Sequence, residues 1–158
     1  MTFPDQESFE GALSNWTQST SDNFDWQVTN LPTPTNSTGP SSSIHGASYL
    51  YAEATGNTNG FASIESCVTL SDVCSSEIEF DYHMFGANVV SLLLEVSTDS
   101  GTSWTSLWSE SGDQGDNWYV RLINLDAYAG SSILLRFTAQ NNGAVSYTHL
   151  TLPTIYSV

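Results

Sequence analysis

Glu77-Ile78-Glu79-Phe80-Asp81-Tyr82-His83-Met84 alternates without a break. Ile78, Phe80, Tyr82 and Met84 share one face of an extended chain; Glu77, Glu79, Asp81 and His83 share the other. Successive strand side chains point to opposite sides, so this period of two predicts a half-buried antiparallel strand with an acidic outer face. The pattern recurs on either side of it. Ala47 to Thr55 sets Tyr49, Tyr51 and Glu53 against Leu50, Ala52 and Ala54, and Ser132 to Ala139 sets Ile133, Leu135 and Phe137 against Leu134 and Arg136. Val89 to Thr98 is more continuously apolar, as expected of a central strand covered on both faces. Thr102 to Ser109 and Asn117 to Leu125 read as further strands. Turn signals separate them at Asp99-Ser100-Gly101, Gly112-Asp113-Gln114-Gly115, Ala129-Gly130 and Asn141-Asn142-Gly143. Many short strands with regular turns predict an all-β, antiparallel β-sandwich of jelly-roll type. Thr29 to Ser43, with Pro32, Pro34 and Pro40, reads as a long surface loop within one domain.

The composition bounds the function. A chain of 158 residues with 39% hydrophobic and 12% aromatic content can bury one substantial core. Seventeen acidic residues face only Arg121 and Arg136, giving a formal charge of −15. Nucleic acid is excluded as a partner, because phosphate contacts need clustered Lys and Arg. Anionic membrane surfaces repel such a chain, and no stretch approaches the ~20 apolar residues of a membrane helix. Charged residues total only 12%, with Ser, Thr, Asn and Gly supplying the remaining solvation, a profile that points to a secreted or cell-surface protein. The sequence shows no signal peptide, so the expectation is a fragment of a larger secreted chain. Cys67 and Cys74 are too few for a tetrahedral zinc site and are not spaced as a redox pair. They read as a local disulfide contributing roughly 2–3 kcal/mol.

Val145-Ser146-Tyr147-Thr148-His149-Leu150-Thr151-Leu152-Pro153-Thr154 resembles the in-frame translation of a transposase sequencing-library adapter. Ile155, Tyr156, Ser157 and Val158 fit its continuation. The expected division is therefore a domain over residues 1–144, lacking its natural last strand, and a non-native tail over 145–158.

An ordered series of segments resembles the MAM domain, an extracellular β-sandwich of receptor phosphatases, meprins and neuropilins with secreted bacterial versions. The series runs Ser8-Phe9-Glu10, Asn23-Phe24-Asp25-Trp26, Thr38-Gly39-Pro40, Ala47 to Ala54 and Glu79 to Gly86. It closes with Trp108, Ser111 to Gly115, Trp118 and Leu134-Leu135-Arg136-Phe137. Two cysteines stand where animal members typically carry four, a departure from the family pattern, and the version expected is a secreted bacterial one. The resemblance implies adhesion or protein interaction, self-association included, and no catalysis. A carbohydrate-binding accessory module of a secreted hydrolase is the alternative.

Glu10 and Glu53 are the candidates for a structural Ca²⁺, since hard cations need several oxygen ligands and the resemblance extends a first-strand cation site to Glu10. Trp108 and Trp118 flank a glycine-rich loop and are the candidates for stacking on a sugar, against the alternative of core packing. Trp16 and Trp26 invite the same question. Ser97-Thr98-Asp99-Ser100-Gly101-Thr102-Ser103-Trp104 fits the Asp-box of sialidase-type propellers, where the motif is a structural hairpin. A single copy predicts a hairpin turn and no propeller. Glu77, Glu79 and Asp81 could raise one another's pKa, but a flat outer strand face forms no glycosidase cleft. His83 beside Asp81 lacks a serine or cysteine nucleophile, and His45 lacks a ligand set. Asn15-Trp16-Thr17 and Asn36-Ser37-Thr38 fit the N-glycosylation pattern, without consequence in a bacterial protein.

Overall fold

The computed structural model describes residues 5–10, 13–33, 38–53, 56–57, 59–72, 75–143 and 147–157. Its strands are β1 (Asp5–Gln6), β2 (Thr17–Gln18), β3 (Gln27–Thr29), β4 (Tyr49–Glu53), β5 (Phe61–Thr69) and β6 (Ser76–Phe85), followed by β7 (Val89–Ser97), β8 (Thr105–Ser111), β9 (Tyr119–Asn124), β10 (Ser132–Asn141) and β11 (Tyr147–Ser157). One sheet runs β3-β4-β11-β6-β9, with β1 beside β11; the other runs β2-β5-β10-β7-β8. All pairings are antiparallel. The predicted all-β sandwich of jelly-roll type is the fold observed.

The alternation seen in the sequence builds the interior directly. Ile78, Phe80, Tyr82 and Met84 of β6 face Leu92, Leu94 and Val96 of β7 and Ile133, Leu135 and Phe137 of β10, all buried. Phe80 meets Phe137 edge to face at 4.8 Å across the two sheets. Trp16 and Trp26 are core residues: Trp16 packs on Phe137 at 5.4 Å, and the Trp26 indole donates to the Ala62 carbonyl. The Asp-box forms the β7–β8 hairpin. Ser100 and Gly101 both take positive φ, as a two-residue turn of this hand requires. The Asp99 carboxylate accepts from the Ser103 amide and from the Ser97 and Ser103 hydroxyls, which lower its pKa to about 2.

Four expectations need correction. The strand slot between β4 and β6 is not open: residues 147–157 fill it as β11. Any segment that presents alternating backbone donors and acceptors can satisfy that ladder. β7 is not covered on both faces, since Leu93 and Glu95 stand half-buried on the outer side. The outer face of β6 is not uniformly solvated, because Asp81 and His83 are buried beneath the loop that follows β3. Cys67 is a free thiol that the β5 alternation turns outward to solvent, so no disulfide joins it here; Cys74 lies outside the described residues, as does Asn36. β5 itself escapes a hydrophobicity reading, because Ser66 and Ala62 share its inward face with Ile64 and Val68.

Candidate functional site

The outer face of the β3-β4-β11-β6-β9 sheet carries a second buried layer. Tyr49 and Tyr51 of β4, Tyr147 and His149 of β11 and His83 of β6 all point outward and are all buried. The segment between β3 and β4 covers them. The Tyr49 hydroxyl donates to the Leu31 carbonyl at 2.7 Å, and the Trp118 indole to the Ser42 carbonyl at 3.2 Å. Rings then fill the space: Tyr49 stands edge-on to His149 and to Trp118, and Tyr147 stacks on His149. Burial and the neighbouring Tyr51 push the Tyr49 hydroxyl up to about 12.

A cleft of about 470 Å³ opens where this cover meets the β9 end of the sheet. Ser42, Ile44, His83, Asp116, Asn117 and Trp118 line it. His83 Nε2 lies 2.9 Å from Asp116 Oδ1, and its Nδ1 lies 3.2 Å from His149 Nδ1. His149 Nδ1 also reaches the His83 carbonyl. One proton per ring satisfies this chain: His83 donates to Asp116, and His149 donates to His83. His149 Nε2 is left a buried acceptor without a partner. Burial holds the His83 pKa below its ordinary value against the opposing pull of Asp116. Burial and the neighbouring His83 hold His149 well below its own.

The residues singled out from the sequence are scattered. Glu10 Oε1 accepts the Ala47 and Ser48 amides at 2.6 and 3.0 Å, and Oε2 faces the Ser48 hydroxyl. These donors lower its pKa. Gly46 makes the approach possible: its φ is +64°, and an added Cβ falls 2.4 Å from Glu10 Oε1. Glu53 accepts the Tyr147 hydroxyl at the far end of β4, roughly 16 Å from Ser48 on an extended chain. The structure therefore does not bring the two carboxylates together, and Glu10 directs its oxygens to the amides and hydroxyl of the segment before β4. Sequence reasoning missed Glu7. It is buried, its Oε1 accepts the Phe9 amide, and its Oε2 has no partner. Only an acidic residue at an otherwise buried position could have signalled it.

Trp108 is half-buried and packs against the core. It lies against Phe80 and Tyr82 at 5.1 and 5.0 Å, with the Arg121 guanidinium over it. Trp118 does line the cleft. Glu77 and Glu79 stay on the open part of the β6 outer face, whereas Asp81, raised by burial, pairs with His45 at 3.3 Å. Among the described residues the three histidine rings bond to Asp81, Asp116, each other and a carbonyl, and not to a serine or cysteine side chain. No group of three or more His, Cys, Asp or Glu side chains among the described residues is arranged to hold a metal. No helix among them is long and apolar enough to cross a membrane.

Residues 8–152 match the family model for the MAM domain, meprin/A5/mu. Neuropilin-1a of Danio rerio is 36% identical over 103 residues, covering 60% of this chain and 11% of that protein. MAM domain-containing glycosylphosphatidylinositol anchor protein 1 of Rattus norvegicus is 32% identical over 119 residues, covering 67% and 12%. The chain thus spans about a tenth of the length of these relatives. Among solved structures, the K1 cleaved adhesin domain of Lys-gingipain from Porphyromonas gingivalis W83 superposes with a TM-score of 0.71 at 15% identity, covering 99% of both chains. TmCBM61 in complex with beta-1,4-galactotriose superposes at 0.69 and 16% identity, covering 96% of this chain and 94% of that one. At such identities the likeness is one of fold.

The histidine pair makes stability pH-dependent, with a fixed sign. Both rings are kept neutral when folded, whereas in the unfolded chain each protonates near its ordinary value of about 6.5. Below that value the unfolded state takes up protons that the folded state refuses, so stability present at pH 7.5 is lost as pH falls. The urea midpoint is expected to drop between pH 7.5 and 5.5, and the drop to shrink in His149→Phe. A flat midpoint for the unaltered chain contradicts the buried neutral pair.

Proposed function

This chain belongs to the MAM domain family, and from that membership we propose that it is a non-catalytic adhesion or protein-interaction module of a larger secreted or cell-surface protein. The family match over residues 8–152 carries the reading. The absence of catalysis is supported by histidines bonded to carboxylates and to each other, and by Glu77 and Glu79 on a flat strand face. Partners are then proteins or a second copy; the acidic surface excludes nucleic acid and opposes insertion into anionic membranes.

One observation favours a glycan-binding role as the second reading. Trp118 lines a cleft whose other walls include Asp116, Asn117 and Ser42, an aromatic face beside hydrogen-bonding groups. The galactotriose complex of a module with this fold gives that arrangement a precedent of shape.

Calcium remains part of the proposal in altered form. Glu7, with a buried unpartnered oxygen close to the β1–β11 pairing, fits a structural cation better than Glu10 or Glu53. Bound there, Ca²⁺ would supply the charge that the orphaned oxygen lacks.

The origin of residues 145–158 in an adapter, and of the parent gene in a bacterium, belong to the same proposal. β11 has the marks of a sequence not shaped for its slot. Pro153 removes a ladder donor from a strand paired on both sides, and the register shifts between Thr151 and Thr154. His149 Nε2 and Thr151 Oγ1 are buried without partners. The family match itself extends to residue 152, within β11.

Four measurements test these readings. Beads coated with the chain are expected to cluster or to bind cells more than beads coated with an unrelated acidic protein. Inert beads, together with Trp fluorescence that responds to a polysaccharide in the unaltered chain and not in Trp118→Ala, transfer the assignment to the glycan reading. Millimolar Ca²⁺ is expected to raise Tm in the unaltered chain and not in Glu7→Gln; equal shifts, or none, remove the cation. An adapter-trimmed read of the parent gene is expected to depart from this sequence after codon 144 and to lie in a bacterial genome. A genomic read that reproduces residues 145–158 makes the tail native.

A further inference from the structure

β9 ends its sheet, and among the described residues its only strand partner is β6. Natural edge strands are blunted by bulges, prolines or outward lysines, because their free amides and carbonyls are templates for another chain. β9 has no bulge, proline or lysine; its one charged residue, Arg121, lies on the inner face and donates to the Val120 carbonyl at 3.0 Å. Its register with β6 runs unbroken from Tyr119 to Asn124, and its outward residues are Val120 and Leu122, 55% and 53% exposed. Two large apolar side chains thus stand alternately on an unpaired edge.

The surrounding charge says what they face. Val120 lies opposite Asp81 and Leu122 opposite Glu79 on the same outer face, with Glu77 next along β6. Asp116 and Asp126 stand just before and just after the strand. Asp81 pairs with His45, Asp116 with His83, and Asp126 accepts from Ser76 and Asn124, but neither arginine reaches Glu77 or Glu79. Arg121 is spent on Glu110 at 3.5 Å and on the Tyr82 and Trp108 rings, and Arg136 on Glu95 at 2.9 Å and the Trp104 ring. With these two arginines committed, the formal charge of −15 is left to external partners.

We propose that β9 is a docking edge for an extended basic segment of another protein, added to the sheet as a further strand. The inference rests on the interaction-module reading and names the chemistry of its partner. Backbone bonds to the β9 edge give affinity, and side-chain alternation gives specificity. Lysine or arginine at the outward positions lays its aliphatic stem over Val120 and Leu122 and carries its charge toward Glu77 and Glu79. A second copy is the disfavoured occupant, because edge-to-edge pairing sets two acidic faces together.

The probe is a capped heptapeptide alternating lysine and valine, titrated into the ¹⁵N-labelled full chain at 50 mM NaCl. Expected are amide shift changes concentrated in residues 119–124, an affinity that weakens at least tenfold by 500 mM NaCl, and no response to a glutamate–valine control. Val120→Lys/Leu122→Lys is expected to lose binding at least tenfold. Glu77→Gln/Glu79→Gln, which leaves the edge intact, is expected to weaken it severalfold. Shift changes located elsewhere, or none, overturn the proposal, as does salt-promoted dimerisation of the chain through β9 without peptide. Coated beads separate the two levels. If the Val120→Lys/Leu122→Lys chain clusters or binds cells as the unaltered chain does and the peptide fails, the module reading stands and the β9 inference alone falls.

Discussion

The contact of Phe80 with Phe137, edge to face between β6 and β10, sits where the two sheets meet. Each ring reaches the middle only because its strand alternates, and each strand keeps its register because a slip of one residue turns every apolar side chain outward. Trp16, Trp108 and Tyr82 gather around that pair, so the aromatic content of the chain is concentrated between the layers. With β6 fixed in register, its outward residues are fixed too, and everything on the outer face follows. Asp81 and His83 are placed opposite Val120 and Tyr147's neighbour His149 by backbone pairing alone.

That outer face divides into two regimes. Over β4, β11 and half of β6, the segment after β3 excludes water and turns tyrosines, histidines and Trp118 into a second interior. Low dielectric then dictates chemistry: the histidines stay neutral, and the Tyr49 hydroxyl is pushed up to about 12. Toward β9 the cover ends, and carboxylates beside exposed valine and leucine meet solvent. The cleft lined by Trp118 marks the seam between the two. The polar groups that remain available to a partner therefore lie at and beyond the seam.

The strands around β6 were legible because one of their faces is apolar and the other is not. β5 was not, because Ser66 and Ala62 interrupt its inward face, although β10 pairs along its whole length. The outer cover was illegible for a different reason. It is held by side-chain donors reaching backbone carbonyls of Leu31 and Ser42 and by the Glu10 carboxylate receiving amides of Ala47 and Ser48. Backbone partners leave no trace in residue type. Glu10 and Glu53 are not brought together, since one bonds to the chain before β4 and the other stands at the far end of that strand. Trp118 and Trp108 could not be ranked from sequence, since only the third dimension sends one into the core and the other to the cleft.

β11 shows what a strand slot demands and what it does not. The slot between β4 and β6 demands extended backbone and alternation, and Tyr147 to Thr151 supply both, with Leu150 inward between Leu50 and Tyr82. Hydrogen bonding along a ladder is indifferent to side chains, so pairing is satisfied by many sequences. Side-chain fit is less tolerant. A proline between two neighbours, a broken register and two orphaned polar atoms are the local conflicts expected when the ladder is met but the packing is not. Such conflicts are not confined to β11: Ser66 in β5 and Asn141 in β10 also bury an unpartnered oxygen, and β7 shifts register against both β10 and β8. Backbone pairing and side-chain satisfaction are thus separate demands, and β11 meets the first more fully than the second.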